Sequence, residues 1–185
     1  REEGTKMGGG LGILVSEDLP VSDWNGLEEN TERMWLLYEY NEEKIAFCSV
    51  YLACNTGRRP QHEDDNTSLL GLVGEEVDHL QTQGFEIVIL GDLNAWTGSE
   101  GRYGISGNRE QLNYNGQLLQ DFLNIKNLEI ANKVPIAEGL FTRFPHNGIG
   151  QPSIIDLVCV SAEMLERVVD FRVDEDNELD IKSDH

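Results

Sequence analysis

The stretch "FEIVILGDLNAWTG" (85–98) changes character between two neighbouring residues, and the reading of the whole chain starts there. Its first half, "FEIVIL" (85–90), is continuous, apolar and rich in β-branched residues. That composition predicts a short strand buried on both faces. Its second half turns polar at Asp92, with Asn94 two places on and Gly91 and Gly98 on either side. A carboxylate and an amide then stand on a tight turn at the C-terminal end of a buried strand, where α/β sheets place their ligands. An ordinary Asx-turn, in which Asp92 and Asn94 bond only their own backbone, fits the same four residues. A calcium loop fits poorly, because Trp96 occupies the fifth position and the glycine falls one place late, at Gly98.

Working outward, the patterning predicts more strands than helices. "GLGILVS" (10–16), the pair "MWLLYEY" (34–40) and "KIAFCSVYL" (44–52) joined at "NEE", then "EIAN" (129–132), "LFTRF" (140–144), "IIDLVCVS" (154–161) and "RVVDFRV" (167–173) read as strands. Two segments read as helices. In 67–84, Leu69, Leu70, Val73, Val77 and Leu80 recur at spacings of three and four, with Gly84 suited to the C-cap. In 115–129, Leu118, Leu119, Phe122 and Leu123 do the same. Helices that interrupt strands in this way predict an α/β sandwich.

The chain has 185 residues, 39% of them hydrophobic and 26% charged, which is one sizeable globular core, so residues 1–185 are read as a single domain. No apolar run reaches the ~18–20 residues of a membrane span. Cys48, Cys54 and Cys159 show no metal-ligand spacing, and the runs around Cys48 and Cys159 predict buried free thiols. Fourteen basic against 34 acidic residues give a net charge of −20, which repels polyanions unless the contact face differs locally or a cation intervenes. The acidic runs at 28–44, 62–65 and 174–180 read as solvated surface.

Three further positions carry chemistry. Asp156 interrupts the apolar run 154–160, and a carboxylate on a buried strand requires a partner, a cation, an Arg or a His, unless the strand is slipped so that Asp156 faces water. The last two residues, Asp184 and His185, gain meaning in combination with it. His185 is a candidate partner for Asp156, since a carboxylate on one imidazole nitrogen raises the basicity of the other. Asp184 then remains for a hard cation. Tyr51 ends an apolar strand just before a loop with Asn55, Arg58 and Arg59, where a phenol can reach a phosphate oxygen.

The order Tyr51, Gly91-Asp92-Leu93-Asn94, Ser153-Ile154-Ile155-Asp156 and Ser183-Asp184-His185 resembles the endonuclease/exonuclease/phosphatase superfamily, of deoxyribonuclease I-like fold, over nearly the whole chain. Within it, "GDLNAWTG", "NYNGQLLQDFLNIKNLEIANK" and "LFTRF" are most similar to endonuclease domains of non-LTR (LINE-type) retrotransposons and to craniofacial-development-protein-like sequences. The resemblance implies a four-layer α/β/β/α sandwich of two mixed sheets, here expected to be incomplete at both ends. The family's leading Asn and its metal-binding Glu, and a closing strand after His185, are expected to lie outside this chain. The missing strands would leave unpaired edges, so the isolated chain is expected to be poorly soluble or molten.

The implied activity is metal-dependent phosphodiester hydrolysis, with DNA nicking as the leading case. Asp92 would handle the proton of the attacking water or leaving oxygen, Asn94 would donate to the phosphoryl oxygen, and Tyr51 would bind a non-bridging oxygen. His185, held by Asp156, would contact the same phosphate, while Asp184 would hold Mg²⁺ or Mn²⁺. Thr142, Asn55, Arg58 and Arg59 would touch substrate, with Arg102, Arg109 and Arg143 also rimming the site. The implied partners are DNA and a reverse transcriptase domain in the same full-length polypeptide, with no membrane and a nuclear place of action. Two other readings stay open. One is a phosphatase of the same fold acting on inositol phosphates or sphingomyelin. The other is a truncated, inactive retroelement-derived domain.

Overall fold

The computed structural model describes residues 10–54, 61–98, 112–144 and 152–175. Its centre is a six-stranded mixed sheet built from β1 (Val21–Trp24), β2 (Arg33–Tyr40), β3 (Glu43–Val50), β4 (Glu86–Asp92), β5 (Leu128–Ile130) and β7 (Asp156–Ser161). Their spatial order is β1-β2-β3-β4-β7-β5, and β3–β4 is the parallel pair. β2 and β3 form the expected hairpin, in register from Arg33 opposite Val50 to Tyr40 opposite Glu43. Asn41 sits at its tip with φ 54°, a left-handed conformation that Asn adopts more readily than most residues. A second, two-stranded parallel sheet pairs β6 (Ala137–Glu138) with β8 (Phe171–Arg172).

Alternation along the central strands divides the core into two layers. Ile87 and Ile89 of β4, Cys48 and Val50 of β3 and Leu157 and Cys159 of β7 face the helices. They pack against Leu69, Leu70, Val73, Val77 and Leu80 of α1 (Gln61–Thr82) and Leu119, Phe122 and Leu123 of α2 (Tyr114–Lys126). The alternate residues Val88, Leu90, Val158 and Val160 face the other side, toward Phe171 of β8 and Met164 and Leu165 of α3 (Ala162–Leu165). The arrangement is an α/β sandwich, with β4 buried on both faces as its composition predicts. Cys48 and Cys159 are buried free thiols, and burial pushes Cys159 up to about 12 and Cys48 well above its ordinary value.

The structure corrects several element boundaries. Residues 10–16 form no strand: Leu14 is fully exposed, and among the described residues nothing pairs with this segment. A strand requires a hydrogen-bonded neighbour, and β1 takes the edge of β2 instead. "LFTRF" contributes a single bridge, Arg143 opposite Ser153, and "RVVDFRV" contributes only β8, with Val169 exposed. The first helix begins six residues earlier than the apolar period suggests. Glu63 and Asp64 fall in its first turn, where negative charge is favourable.

A buried ion pair joins β2 to α1. Arg33 Nη2 lies 2.6 Å from Glu76 Oε1, and both side chains are almost inaccessible to solvent. Trp35 Nε1 donates to the second carboxylate oxygen at 2.7 Å and the Leu27 amide to the first at 2.8 Å. Arg33 also donates to the carbonyls of Asn25 and Glu28, so the loop before β2 wraps around the pair. Gly26, at φ 77°, makes this approach possible, because a Cβ there would sit 2.1 Å from Glu76 Oε1. Removing one partner would strand a buried charge. We expect Glu76→Ala to lower stability by about 3–5 kcal/mol, and an Arg33→Met/Glu76→Leu double substitution to lower it by less. Urea unfolding of both variants checks this.

Candidate active site

The site is built where β4 and β7 end together. In their antiparallel register Asp92 is directly opposite Asp156, and both lie on the face away from the two long helices. Two like charges in opposed positions of neighbouring strands repel, and a cation between them would offset that repulsion. β7 begins at Asp156, which puts this carboxylate at the half-buried mouth of the strand rather than in its interior.

Backbone hydrogen bonds fix the mouth. Leu93 N donates to Ile155 O at 2.9 Å, and Leu52 N donates to Asp92 O at 3.0 Å. Gly91, at φ 147°, allows β3 to come this close, since a Cβ there would lie 2.0 Å from Val50 O. On the β7 side, Thr142 Oγ1 accepts from the amides of Ile155 and Asp156, both at 3.0 Å. Asn132 behaves like a strand residue: its side chain accepts from Val158 N at 2.8 Å and donates to Asp156 O at 3.2 Å.

The turn after β4 is the Asx-turn that the sequence allows. Asp92 Oδ1 accepts from Asn94 N at 3.0 Å, and Asn94 takes φ 44°. The Asn94 side chain donates to Leu52 O at 2.9 Å. One of its two amide hydrogens therefore holds the adjoining loop, which is a structural duty beside the proposed catalytic one. Tyr51 is about one-third exposed. Partial burial and then the Asp92 carboxylate raise its phenol above the ordinary value, with smaller contributions from Cys54 and Glu32. Asp92 is thus close enough to Tyr51 to act on it electrostatically.

The structure therefore brings Tyr51, Asp92, Asn94, Asp156 and Thr142 to one end of the sheet. Asn55, Arg58, Arg59, Asp184 and His185 lie outside the described residues, as do Arg102 and Arg109. Among the described residues no group of three or more His, Cys, Asp or Glu side chains could hold a metal ion. The donor chemistry nonetheless fits a hard cation: Asp92 and Asp156 offer carboxylate oxygens, and Mg²⁺ is commonly held by one or two carboxylates with water and substrate phosphate. Beside Tyr51 opens a cleft of about 1090 Å³ lined by Asp23, Glu28, Glu29, Glu32 and Asp65.

Sequence reasoning missed the asparagines. Asn66 and Asn115 are buried, and Asn113 caps α2 through Gly116 N at 2.8 Å. Asn66 was detectable in principle, because it continues the apolar period of Leu69, Leu70 and Val73 as a polar residue on the buried face of α1. Asn132 left no local signal, because its partners belong to a strand more than twenty residues away.

Comparison with known proteins gives the family. The model of the endonuclease-reverse transcriptase family matches residues 45–185. No curated protein matches the chain. Among solved structures, the endonuclease domain of TRAS1, a telomere-specific non-LTR retrotransposon, superposes with a TM-score of 0.50 at 18% identity, over 82% of this chain and 59% of that one. An AP endonuclease from Leishmania major gives 0.63 at 16% identity, over 83% of this chain and 56% of that one. A 3′ phosphatase from Neisseria, solved with a product DNA hairpin, gives 0.64 at 18% identity, over 92% and 68%. The chain thus spans less than two-thirds of the length of the first two, and the likeness establishes the deoxyribonuclease I-like fold. With that fold and a family match over most of its length, this chain belongs to the endonuclease-reverse transcriptase family of the endonuclease/exonuclease/phosphatase superfamily.

Proposed function

We propose that the chain is the hydrolytic part of a retroelement-type endonuclease that nicks DNA by metal-dependent phosphodiester hydrolysis. The observation that carries this reading is the opposition of Asp92 and Asp156 beside Asn94 and Tyr51. Asp92, bonded to the Asn94 amide, orients the attacking water or the leaving oxygen and handles its proton. Asn94 stabilises charge on the phosphoryl oxygen through the amide hydrogen that does not bond Leu52. Tyr51 donates to a non-bridging oxygen, and its raised pKa keeps the phenol protonated through neutral pH. Asp156 holds His185 against the phosphate. Asp184 is the ligand proposed for Mg²⁺ or Mn²⁺, which supplies positive charge to the phosphate. Thr142, besides fixing the start of β7, lies at the same mouth.

Electrostatics limits how such a chain binds DNA. The carboxylate-lined cleft beside Tyr51 repels a polyanion, so a duplex backbone would need basic residues elsewhere to meet it. Arg58, Arg59, Arg102, Arg109 and Arg143 are the residues proposed to meet it, with Asn55 beside them. Five such contacts give a dependence of log affinity on log salt no steeper than about −4.5. Binding by this domain is therefore weak, and a reverse transcriptase domain in the same polypeptide, acting in the nucleus, supplies the remaining affinity.

Full-length protein with Mg²⁺ or Mn²⁺ should nick supercoiled plasmid at low salt and lose activity as salt rises. Plasmid left intact under those conditions would mark the chain as an inactive relic. Turnover of inositol phosphates or sphingomyelin in its place would move it to the phosphatases of the same fold. Tyr51→Phe should lower kcat about 10²–10³-fold. Because phenol ionisation removes the donor, the parent's activity should show no loss assignable to Tyr51 until pH exceeds 10. A pH–rate profile of parent and variant checks both.

A further inference from the structure

Two loops carry the proposed chemistry: the one leaving β3, with Tyr51, and the one leaving β4, with Asp92 and Asn94. Asp92 is the last residue of β4, while Tyr51 and Asn94 lie beyond the strand ends. Leu52 N to Asp92 O and Asn94 Nδ2 to Leu52 O tie the two segments directly, and the proposed site requires that this spacing be held. The amino end of α2 touches both. Asn115, wholly buried, donates through Nδ2 to Ala53 O and to Leu93 O, each at 3.2 Å. Its Oδ1 accepts from Asn66 Nδ2 at 2.9 Å. Asn66 in turn takes both polar groups of Ala53: it accepts from the amide and donates to the carbonyl, each at 2.9 Å. Asn113 reaches the other loop. Its Oδ1 accepts from Trp96 N at 2.9 Å and its Nδ2 donates to Asn94 O at 2.8 Å. The helix start is pressed onto that loop, since a Cβ on Gly116 would lie 1.9 Å from Trp96 O.

We propose that Asn113 and Asn115 are positioning residues that clamp the Tyr51 loop to the Asp92–Asn94 turn and so set the spacing on which the reaction depends. The part concerning reaction rests on the nuclease reading above; the clamp itself does not. The chemistry suits the task. An amide offers donors and an acceptor together, so it can join two carbonyls and an amide from separate loops with no buried charge. Backbone groups in a buried loop have to find such partners. Displacements of about 1 Å at a reacting centre cost on the order of 10²-fold in rate.

The test reads the spacing through Tyr51. Its phenol titration, followed by ¹³Cζ-tyrosine NMR and assigned with Tyr51→Phe, is measured in the chain with and without Asp92→Asn. In the parent, Asp92→Asn should lower the Tyr51 pKa, because a neighbouring negative charge is removed. In Asn113→Asp and Asn115→Ala backgrounds the same substitution should move it by less than half as much. Asn113→Asp keeps the capping oxygen for Gly116 N, removes the donor to Asn94 O and adds one negative charge that is common to both members of the Asp92 comparison, so the difference between them still decides the matter if Asn115→Ala fails to fold. An undiminished Asp92→Asn effect in folded Asn113→Asp protein overturns the clamp. In full-length protein, plasmid nicking by Asn113→Asp should lose at least about 10-fold in kcat with KM unchanged. An unchanged kcat overturns the positioning role. A parent protein that nicks nothing overturns the nuclease reading instead, and the titration still decides the clamp.

Discussion

The register between β4 and β7 is the constraint on which this molecule turns. It sets Asp92 opposite Asp156 and, in the same step, gives Ile89 and Cys159 to the helix-facing core and Leu90 and Val158 to the other face. Side chains alternate along a strand, so a slip of one residue would exchange every one of these assignments. It would also break the bond from Leu93 N to Ile155 O at the mouth. The hydrophobic pattern that stabilises the core therefore also selects which carboxylates meet. Asn132 and Thr142 reinforce the choice by bonding the first residues of β7, and Gly91 lets β3 close over the other side.

Positive charge is scarce in this protein, and its structure uses it sparingly. With 14 basic residues against 34 acidic, the cation committed to the deep core among the described residues is Arg33, held by Glu76, whose other carboxylate oxygen takes the Trp35 Nε1 bond, and by the Asn25 and Glu28 carbonyls. The loops at the mouth are organised instead by neutral amides. Asn66, Asn94, Asn113, Asn115 and Asn132 satisfy backbone groups that no strand reaches. An amide does this without the desolvation penalty of a buried ion, which several like-charged neighbours would make worse. Apart from the Arg33–Glu76 pair, the described charged groups are thereby left mainly to the mouth of the sheet and to the surface.

The acidic surface and the proposed substrate pull in opposite directions, and geometry reconciles them. The carboxylates of residues 28–44 lie exposed around β1, β2 and the cleft beside Tyr51, as their clustering implies. The paired carboxylates of the site sit on the face of the sheet turned away from the helices. In the proposed reading, a cation at that mouth would offset the negative potential where a phosphate approaches, while the acidic surface elsewhere would discourage non-specific contact with DNA. The weak binding proposed for this domain would then follow from its charge, and the proposed tethered domain would compensate for it.

Much of this was legible before any coordinates. Period-two and period-3.6 patterning identified the β2–β3 hairpin, both long helices and the doubly buried β4, because those elements owe their form to burial that is written into local spacing. Asp156 reads as the interior of the run 154–160 and in the structure begins β7, whereas Tyr51, Asp92 and Asn94 were legible as chemically capable because they follow or end an apolar strand. The edges were not. Residues 10–16 carry a strand composition and no strand, since an edge exists only where a neighbour offers hydrogen bonds, and Val21–Trp24 takes that place on β2. The asparagine ties were equally silent, for Asn115 meets Ala53 and Leu93 across 62 and 22 residues. The sequence by itself determined which faces are apolar and which residues are chemically capable. Only the tertiary structure decided which of them meet, because strand register and loop contacts are set by long-range hydrogen bonds that local composition does not encode.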